Sequence, residues 1–294
     1  MTHTEFTEFA GTVKVTDGAW GTELQKLGLS AGSAPELWNW KNPEAVASVA
    51  RNYVQAGSDV IMTNTFGANR ITLSAHGLAQ KTAELAQKGV EISRSAAGTN
   101  VRVFASLGPT GKIVMMGEVD VEDIFEAYSE SAEALEWGGA DAIVLESFQE
   151  LEEIRIALKA VKEATDLPVV VSMTFASGPD GTCTMMGDKP SDLAAAAATM
   201  QASAVGANCG TGPDNYVKVA KILRESCSLP IWIKANAGLP QIVNNETVFP
   251  MGPNQFASHV PALIDAGASF IGGCCGTGPE HIARIRQLVG SAKA

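Results

Sequence analysis

The segment AGASFIGGCCG (residues 266–276) contains the pattern on which the fold prediction depends. A helix-ending glycine, Gly267, precedes the run 269–271 (Ser-Phe-Ile), which we predict to be a buried strand. The strand stops at two adjacent cysteines, Cys274 and Cys275, whose flanking glycines allow the chain to turn. The same order of helix-ending glycine and apolar strand recurs at residues 56–63 and 138–145.

Along the whole chain, this unit predicts eight strands that alternate with helices at a spacing of roughly thirty-six residues. The strands are continuously apolar, which is typical of strands that are buried on both faces. We therefore predict an α/β fold with a single (β/α)8 TIM barrel, and we assign residues 1–294 to one barrel domain. An open doubly wound sheet is the main alternative. The turn at residues 17–21, however, lacks the third glycine of a dinucleotide-binding motif.

A third cysteine has a matching context, because Cys-Gly-Thr-Gly-Pro followed by an acidic residue occurs at residues 209–214 and 275–280. Two strand ends would thus bring three thiols, those of Cys209, Cys274 and Cys275, to one rim of the barrel. Three protein ligands with an open fourth position are typical of a reactive zinc site. The alternative is that the thiols only fill space around a tight turn.

The same glycine-rich turns are also compatible with phosphate binding at helix N-termini. Against this interpretation, Pro213 and Pro279 each remove an amide donor. Asp214 and Glu280 already supply negative charge to those helix ends. We regard phosphate binding as the weaker hypothesis.

The composition argues against several function classes. Apolar residues make up 46% of the chain, and the formal charge of −11 disfavours nucleic acids and anionic membranes as partners. We find no run of about eighteen apolar residues, and we expect no signal peptide. Five cysteines without a disulfide framework favour reduced thiols and a cytoplasmic location.

Residues just after the strands of a barrel form its active site. Asp17 and Glu146 are the carboxylates at these positions, and we expect them to bind a cationic substrate group or to cap local turns. The four histidines fall in the N-terminal tail, in helices or in helix caps, so we expect them at the surface and predict no imidazole base. Cys183 and Cys227 lack ligand spacing, and we leave both out of the predicted site.

Three thiolates on zinc would accept a substrate thiol in the open position and deprotonate it while it stays electron-rich. Such a site needs no general base, in agreement with the missing histidine. The reaction that it favours is alkyl transfer to sulfur.

Five motifs, in order and over nearly the whole chain, resemble the homocysteine S-methyltransferase family. The resemblance is greatest to the homocysteine-binding barrel of the cobalamin-dependent methionine synthases. The motifs are DGAWGTELQ (17–25), TNTFGAN (63–69), GANCG (206–210), NAG (236–238) and GGCCG (272–276).

The resemblance implies a zinc ion on the three cysteines, with the sulfur of homocysteine as the incoming ligand. It also implies that the turn at Asp17 and Gly18, together with Glu146, binds the amino-acid end of homocysteine. In the methionine synthase branch, the residue equivalent to Asn236 occupies the open zinc position when substrate is absent. The expected product is methionine.

The resemblance leaves several methyl donors open. Ser147 stands where the betaine-using branch has a tyrosine, which argues against betaine. Because we expect one barrel without a cobalamin-binding module, we predict a methyl-corrinoid (cobalamin) on a separate partner protein. The alternatives are S-methylmethionine or another small onium donor, and a non-catalytic barrel that only binds thiol or zinc.

Overall fold

Strands and helices alternate along the chain. The computed structural model describes residues 1–243 and 246–291. The strands are β1 (Lys14–Val15), β2 (Val60–Ile61), β3 (Arg102–Leu107), β4 (Ala142–Phe148), β5 (Val169–Met173), β6 (Ala204–Cys209), β7 (Ile231–Ala235), β8 (Gln241–Val243), β9 (Glu246–Val248) and β10 (Ala268–Gly273). The helices are α1 (His3–Phe9), α2 (Trp20–Lys26), α3 (Trp38–Lys41), α4 (Pro43–Gln55), α5 (Arg70–Ser74), α6 (Thr82–Ala97), α7 (Val121–Trp137), α8 (Leu151–Ala164), α9 (Pro190–Thr199), α10 (Pro213–Ser226), α11 (Pro253–Ala257), α12 (Val260–Asp265) and α13 (Pro279–Ser291).

Eight of these strands form one parallel sheet in the order β1-β10-β7-β6-β5-β4-β3-β2. Asp59 joins the two ends of the sheet, because its N–H donates to the Val15 carbonyl at 2.7 Å. The Asp59 carboxylate also accepts the Val15 N–H at 2.8 Å. The sheet is therefore a nearly closed barrel, and the predicted (β/α)8 fold is confirmed. The one-domain assignment of residues 1–294 stays a prediction.

The interior of the barrel changes from apolar to polar along its axis. The half nearer the N-terminal ends of the strands is apolar, and it contains the buried residues Phe104, Val144, Trp232 and Phe270. Residues i and i+2 of a strand point to the same side of the sheet. The inward residues two positions further along each strand therefore fill the half of the barrel that is nearer the C-terminal ends of the strands. On β3, β4 and β7 these positions are Ser106, Glu146 and Lys234.

Helix α1 covers the N-terminal end of the barrel, where sequence analysis assigned only a tail. Its first turn is closed by a capping box between Thr2 and Glu5. Phe6 is fully buried, with its ring centroid 5.8 Å from that of Phe104 and 5.6 Å from that of Phe270. This helix is therefore part of the core.

The loop after β7 contains a small antiparallel hairpin, formed by β8 and β9. It was not predicted, and it stands at the same rim as the strand ends that carry the cysteines. None of the described helices is long and apolar enough to cross a bilayer.

Candidate metal and substrate site

The three predicted cysteines lie together at the C-terminal rim of the barrel. Cys209 is the last residue of β6, and Cys274 and Cys275 directly follow β10. The three sulfur atoms all lie within 4.8 Å of one another, and those of Cys209 and Cys275 are 3.9 Å apart. The two cysteine motifs thus form one cluster.

Backbone geometry at three strand ends points the thiols inward. Cys209 has a φ of 65°, a left-handed conformation that is rare for a residue with a side chain. The N–H of Cys274 donates to the Ala235 carbonyl at 2.7 Å, so the end of β7 fixes the cysteine pair. Gly276, with a φ of 81°, completes the turn where a Cβ atom would lie 2.2 Å from the Phe249 ring.

The cluster fits a metal ion. A tetrahedral zinc with bonds of about 2.3 Å to sulfur separates its ligand sulfurs by about 3.8 Å, close to the 3.9 Å between Cys209 and Cys275. Next to the cluster, the Asn236 side chain donates to the Gly210 carbonyl at 3.0 Å, while its buried Oδ1 has no hydrogen-bond partner among the described residues. Soft thiolates and one free amide oxygen are suitable ligands for such an ion.

Without a metal, the three thiols share their protons unequally. The thiols of Cys274 and Cys275 donate to Cys209 and lower its pKa to about 3. The Cys209 sulfur in turn raises the pKa of Cys275 to about 12, and it raises that of Cys274 as well. The negative charge of the metal-free cluster is therefore located mainly on Cys209.

A cavity of about 300 Å³ opens beside the cluster. Two of the predicted substrate residues, Gly18 and Glu146, line it together with the cysteines. Gly18 has no room for a side chain, because a Cβ atom there would lie 2.8 Å from both the Thr277 and the Tyr53 hydroxyl oxygens.

Two carboxylates line the cavity, Glu146 and Glu36, and the second of these accepts the Gly67 N–H at 2.6 Å. Glu146 is the one that shares a wall with Lys234 and Ser106. Its oxygens accept hydrogen bonds from the Ser106 hydroxyl and, at 3.4 Å, from the Asn208 side chain. Burial raises the pKa of Glu146, and the nearby Lys234 ammonium opposes part of that rise. A cation that enters the cavity would favour the ionised carboxylate.

Asp17 lies behind the cavity wall rather than on it. Its buried carboxylate accepts hydrogen bonds from the Trp20 indole and the Met62 N–H, both at 2.7 Å, and from the Lys234 ammonium. Of the residues that the structure describes, neither Asp17 nor Asn236 is among those that line the cavity. Their predicted direct contact with a substrate stays a prediction.

Lys234 also lines the cavity and was not among the predicted site residues. Burial lowers the pKa of its ammonium, but Asp17 and Glu146 more than compensate, so the pKa lies above its ordinary value. The available signal was a charged residue in an otherwise apolar strand, two positions after Trp232, which places both side chains on the same face of β7 without showing which face is inward.

Two cysteines and one histidine were predicted to lie outside the site. Cys183 and Cys227 do not belong to the three-thiol cluster. His281, however, is buried, and the prediction of a surface position is wrong. Its ring bonds the Gly278 N–H at 3.2 Å and the Met251 carbonyl at 3.0 Å, so local backbone groups satisfy it.

Fold and site together define a class of protein, a (β/α)8 barrel with a three-cysteine cluster that could hold a metal ion, beside a cavity at its C-terminal rim. The family model of homocysteine S-methyltransferase matches residues 14–289. The chain therefore belongs to the homocysteine S-methyltransferase family.

Individual relatives agree with this assignment. The chain is 32% identical over 299 residues to methionine synthase from Mycobacterium tuberculosis. This match covers 96% of this chain and 25% of that protein. It is 31% identical over 298 residues to methionine synthase from Mycobacterium leprae, covering 95% of this chain and 24% of the relative. The chain thus spans about a quarter of the length of these relatives.

A solved structure is similar over its whole length. The metallated form of the homocysteine methyltransferase MmuM from Escherichia coli superposes with a TM-score of 0.77 at 26% identity, covering 94% of this chain and 96% of that one. Its apo form superposes with a TM-score of 0.73 at 25% identity, covering 94% of this chain and 95% of that one.

Proposed function

We propose that this protein is a zinc-dependent methyltransferase that converts homocysteine to methionine. The observation that carries the proposal is the convergence of Cys209, Cys274 and Cys275 within 4.8 Å beside a cavity that also contains Glu146. A thiol substrate with an amino-acid end fits this arrangement. Its sulfur would approach the cluster and its ammonium group would approach the carboxylate.

Cys209, Cys274 and Cys275 would hold the zinc ion, which would supply a Lewis acid that lowers the pKa of the homocysteine thiol beside the cluster. The sulfur then supplies the electron pair of the new S–CH₃ bond. The bond between methyl and donor breaks with its electrons remaining on the donor, and the thiol proton is released. Glu146 would orient the substrate. Asn236 Oδ1, which has no hydrogen-bond partner among the described residues, would be a further ligand for the ion when substrate is absent.

For the donor, we propose a methyl-corrinoid on a separate protein. The C-terminal rim bears large apolar side chains that a protein partner could cover, and we call this set the apolar rim. Methionine side chains adapt to varied surfaces, and exposed apolar patches mark interaction sites. The apolar rim consists of Met115, Met116, Met185, Leu239 and Ile242, each at least 60% exposed.

A small onium donor such as S-methylmethionine is the second candidate. It is supported by the similarity to MmuM, whose chain is matched over 96% of its length by this single barrel. A small donor would need only the cavity and not the apolar rim.

The test is turnover of the purified, zinc-loaded protein with homocysteine. Three donors are compared, namely methylated corrinoid protein, free methylcobalamin and S-methylmethionine, and methionine is measured by chromatography. We expect methionine from at least one donor and one equivalent of zinc by elemental analysis. Zinc binding without methionine from any donor would favour the non-catalytic alternative.

Substitution of a ligand makes the test specific. Cys209→Ala removes one of three sulfurs, so we expect loss of stoichiometric zinc and loss of methionine formation of at least about a hundredfold. Cys227→Ala is the matched control, because this thiol lies outside the cluster and should leave both quantities unchanged. Full zinc content and full activity in Cys209→Ala would contradict the proposal.

A further inference from the structure

Lys234 is a buried cation in the wall of the cavity. It lies on β7 opposite Asn208 of β6 and Gly272 of β10, and its side chain reaches the buried Asp17 carboxylate. That side chain is 3% exposed and lines the cavity that Glu146 and the cysteines share. Burial of a charge is costly unless it is paired, so the position calls for a physical reason.

Asp17 pairs with that charge but uses only part of the hydrogen-bonding capacity of the ammonium group. Among the residues described by the structure, Asp17 is the one hydrogen-bond acceptor of the Lys234 ammonium. The Trp20 indole and the Met62 N–H hold the same carboxylate in place. An ammonium group carries three donors, so two remain for groups inside the cavity. Anionic oxygen is their strongest partner.

The cavity therefore offers three kinds of recognition at once. Lys234 supplies a cation, Glu146 supplies an anion, and the cysteine cluster supplies the sulfur site. Homocysteine carries the complementary set, an α-carboxylate, an ammonium group and a thiol. Asp17 would hold the lysine in position and reduce the cost of its burial.

We propose that Lys234 binds the α-carboxylate of homocysteine while Glu146 binds its ammonium group. The assignment rests on the proposed function and adds the residue that selects amino-acid thiols over simple ones. In this arrangement Asp17 is a positioning residue that acts through Lys234.

The experiment pairs a variant with a substrate that lacks the same group. Zinc-loaded wild type and Lys234→Gln are titrated by calorimetry with homocysteine and with 3-aminopropanethiol, which is homocysteine without its carboxylate. We expect Lys234→Gln to weaken homocysteine binding by about tenfold or more. We expect its affinity for 3-aminopropanethiol to stay within about twofold of the wild-type value. The glutamine amide can still donate to Asp17, which helps the variant to fold.

Two controls separate binding from general damage. Lys159→Gln changes an exposed lysine on α8 and should bind both thiols as the wild type does. Glu146→Gln should weaken homocysteine but not 4-sulfanylbutanoate, which lacks the amino group. Zinc content is measured for every variant.

The outcomes are distinct. Equal loss for both thiols, or no loss for homocysteine, in Lys234→Gln would overturn the assignment while leaving the proposed function intact. A zinc-loaded wild type that does not bind homocysteine would overturn the proposed function and, with it, this assignment. If Lys234→Gln does not fold, the affinities of the wild type for the two thiols test the proposal. Equal affinity for homocysteine and 3-aminopropanethiol would overturn the role of Lys234.

Discussion

At the scale of single residues, the barrel tolerates buried charge because neighbouring groups satisfy it. Glu153 on α8 is an example outside the site. Its carboxylate accepts hydrogen bonds from the Thr110 N–H at 2.6 Å, the Thr110 hydroxyl at 2.7 Å and the Tyr128 hydroxyl at 3.2 Å. Burial nevertheless raises its pKa, and these hydrogen bonds only partly oppose the rise.

This raised pKa predicts a pH dependence of stability. The folded state holds the Glu153 proton more tightly than the unfolded state, so its contribution is fully present below the unfolded pKa of about 4.3 and is lost as pH rises through the folded pKa. In Glu153→Gln we therefore expect a smaller decrease in unfolding free energy between pH 5 and pH 8. The two pH values were chosen because a buried carboxyl group with a raised pKa loses its proton at a pH roughly between them.

Urea denaturation at both pH values measures the effect. Glu152→Gln is the matched control, because the neighbouring Glu152 is exposed and should leave the wild-type pH dependence in place. An identical pH dependence in Glu153→Gln and wild type would show that the buried carboxylate does not contribute.

At the scale of elements, α1 stabilises the barrel by filling its N-terminal end. Phe6→Ala would leave a void between the Phe104 and Phe270 rings, so we expect a loss of about 3–5 kcal/mol of unfolding free energy. Thr7→Ala on the exposed face of the same helix should cost under about 1 kcal/mol. Urea denaturation distinguishes the two, and equal effects would mean that α1 is not part of the core.

At the scale of the whole molecule, the two ends of the barrel have different roles. The N-terminal end is closed by α1, whereas the C-terminal end bears the cavity and the apolar rim. If a corrinoid protein docks there, the double variant Met115→Glu and Met185→Glu should lower the rate with that donor by about tenfold, because charge replaces exposed apolar surface. The rate with free methylcobalamin should stay unchanged.

Trp137→Glu is the matched control for that experiment. Trp137 is 68% exposed at the end of α7, which runs back towards the opposite end of the barrel. The variant should not affect either donor. Equal rates for the double variant and the wild type with the corrinoid protein would exclude the apolar rim as the docking surface.

Local patterns in the sequence determined the repeated strand and helix units and, through them, the barrel. They also determined the cysteine cluster, because the C-terminal ends of parallel strands in one barrel meet at one rim. The identities of Cys209, Cys274 and Cys275 therefore needed no tertiary information beyond the fold class.

Only the tertiary structure decided which charged groups face the cavity. A strand that is buried on both faces gives no signal for its inward side, so Lys234 could not be separated from an outward lysine. Asp17, at a strand end like Glu146, proved to point at Lys234 instead of the cavity. The burial of α1 depended on an empty space among Phe104 and its neighbours, and such a space exists only after the barrel has closed.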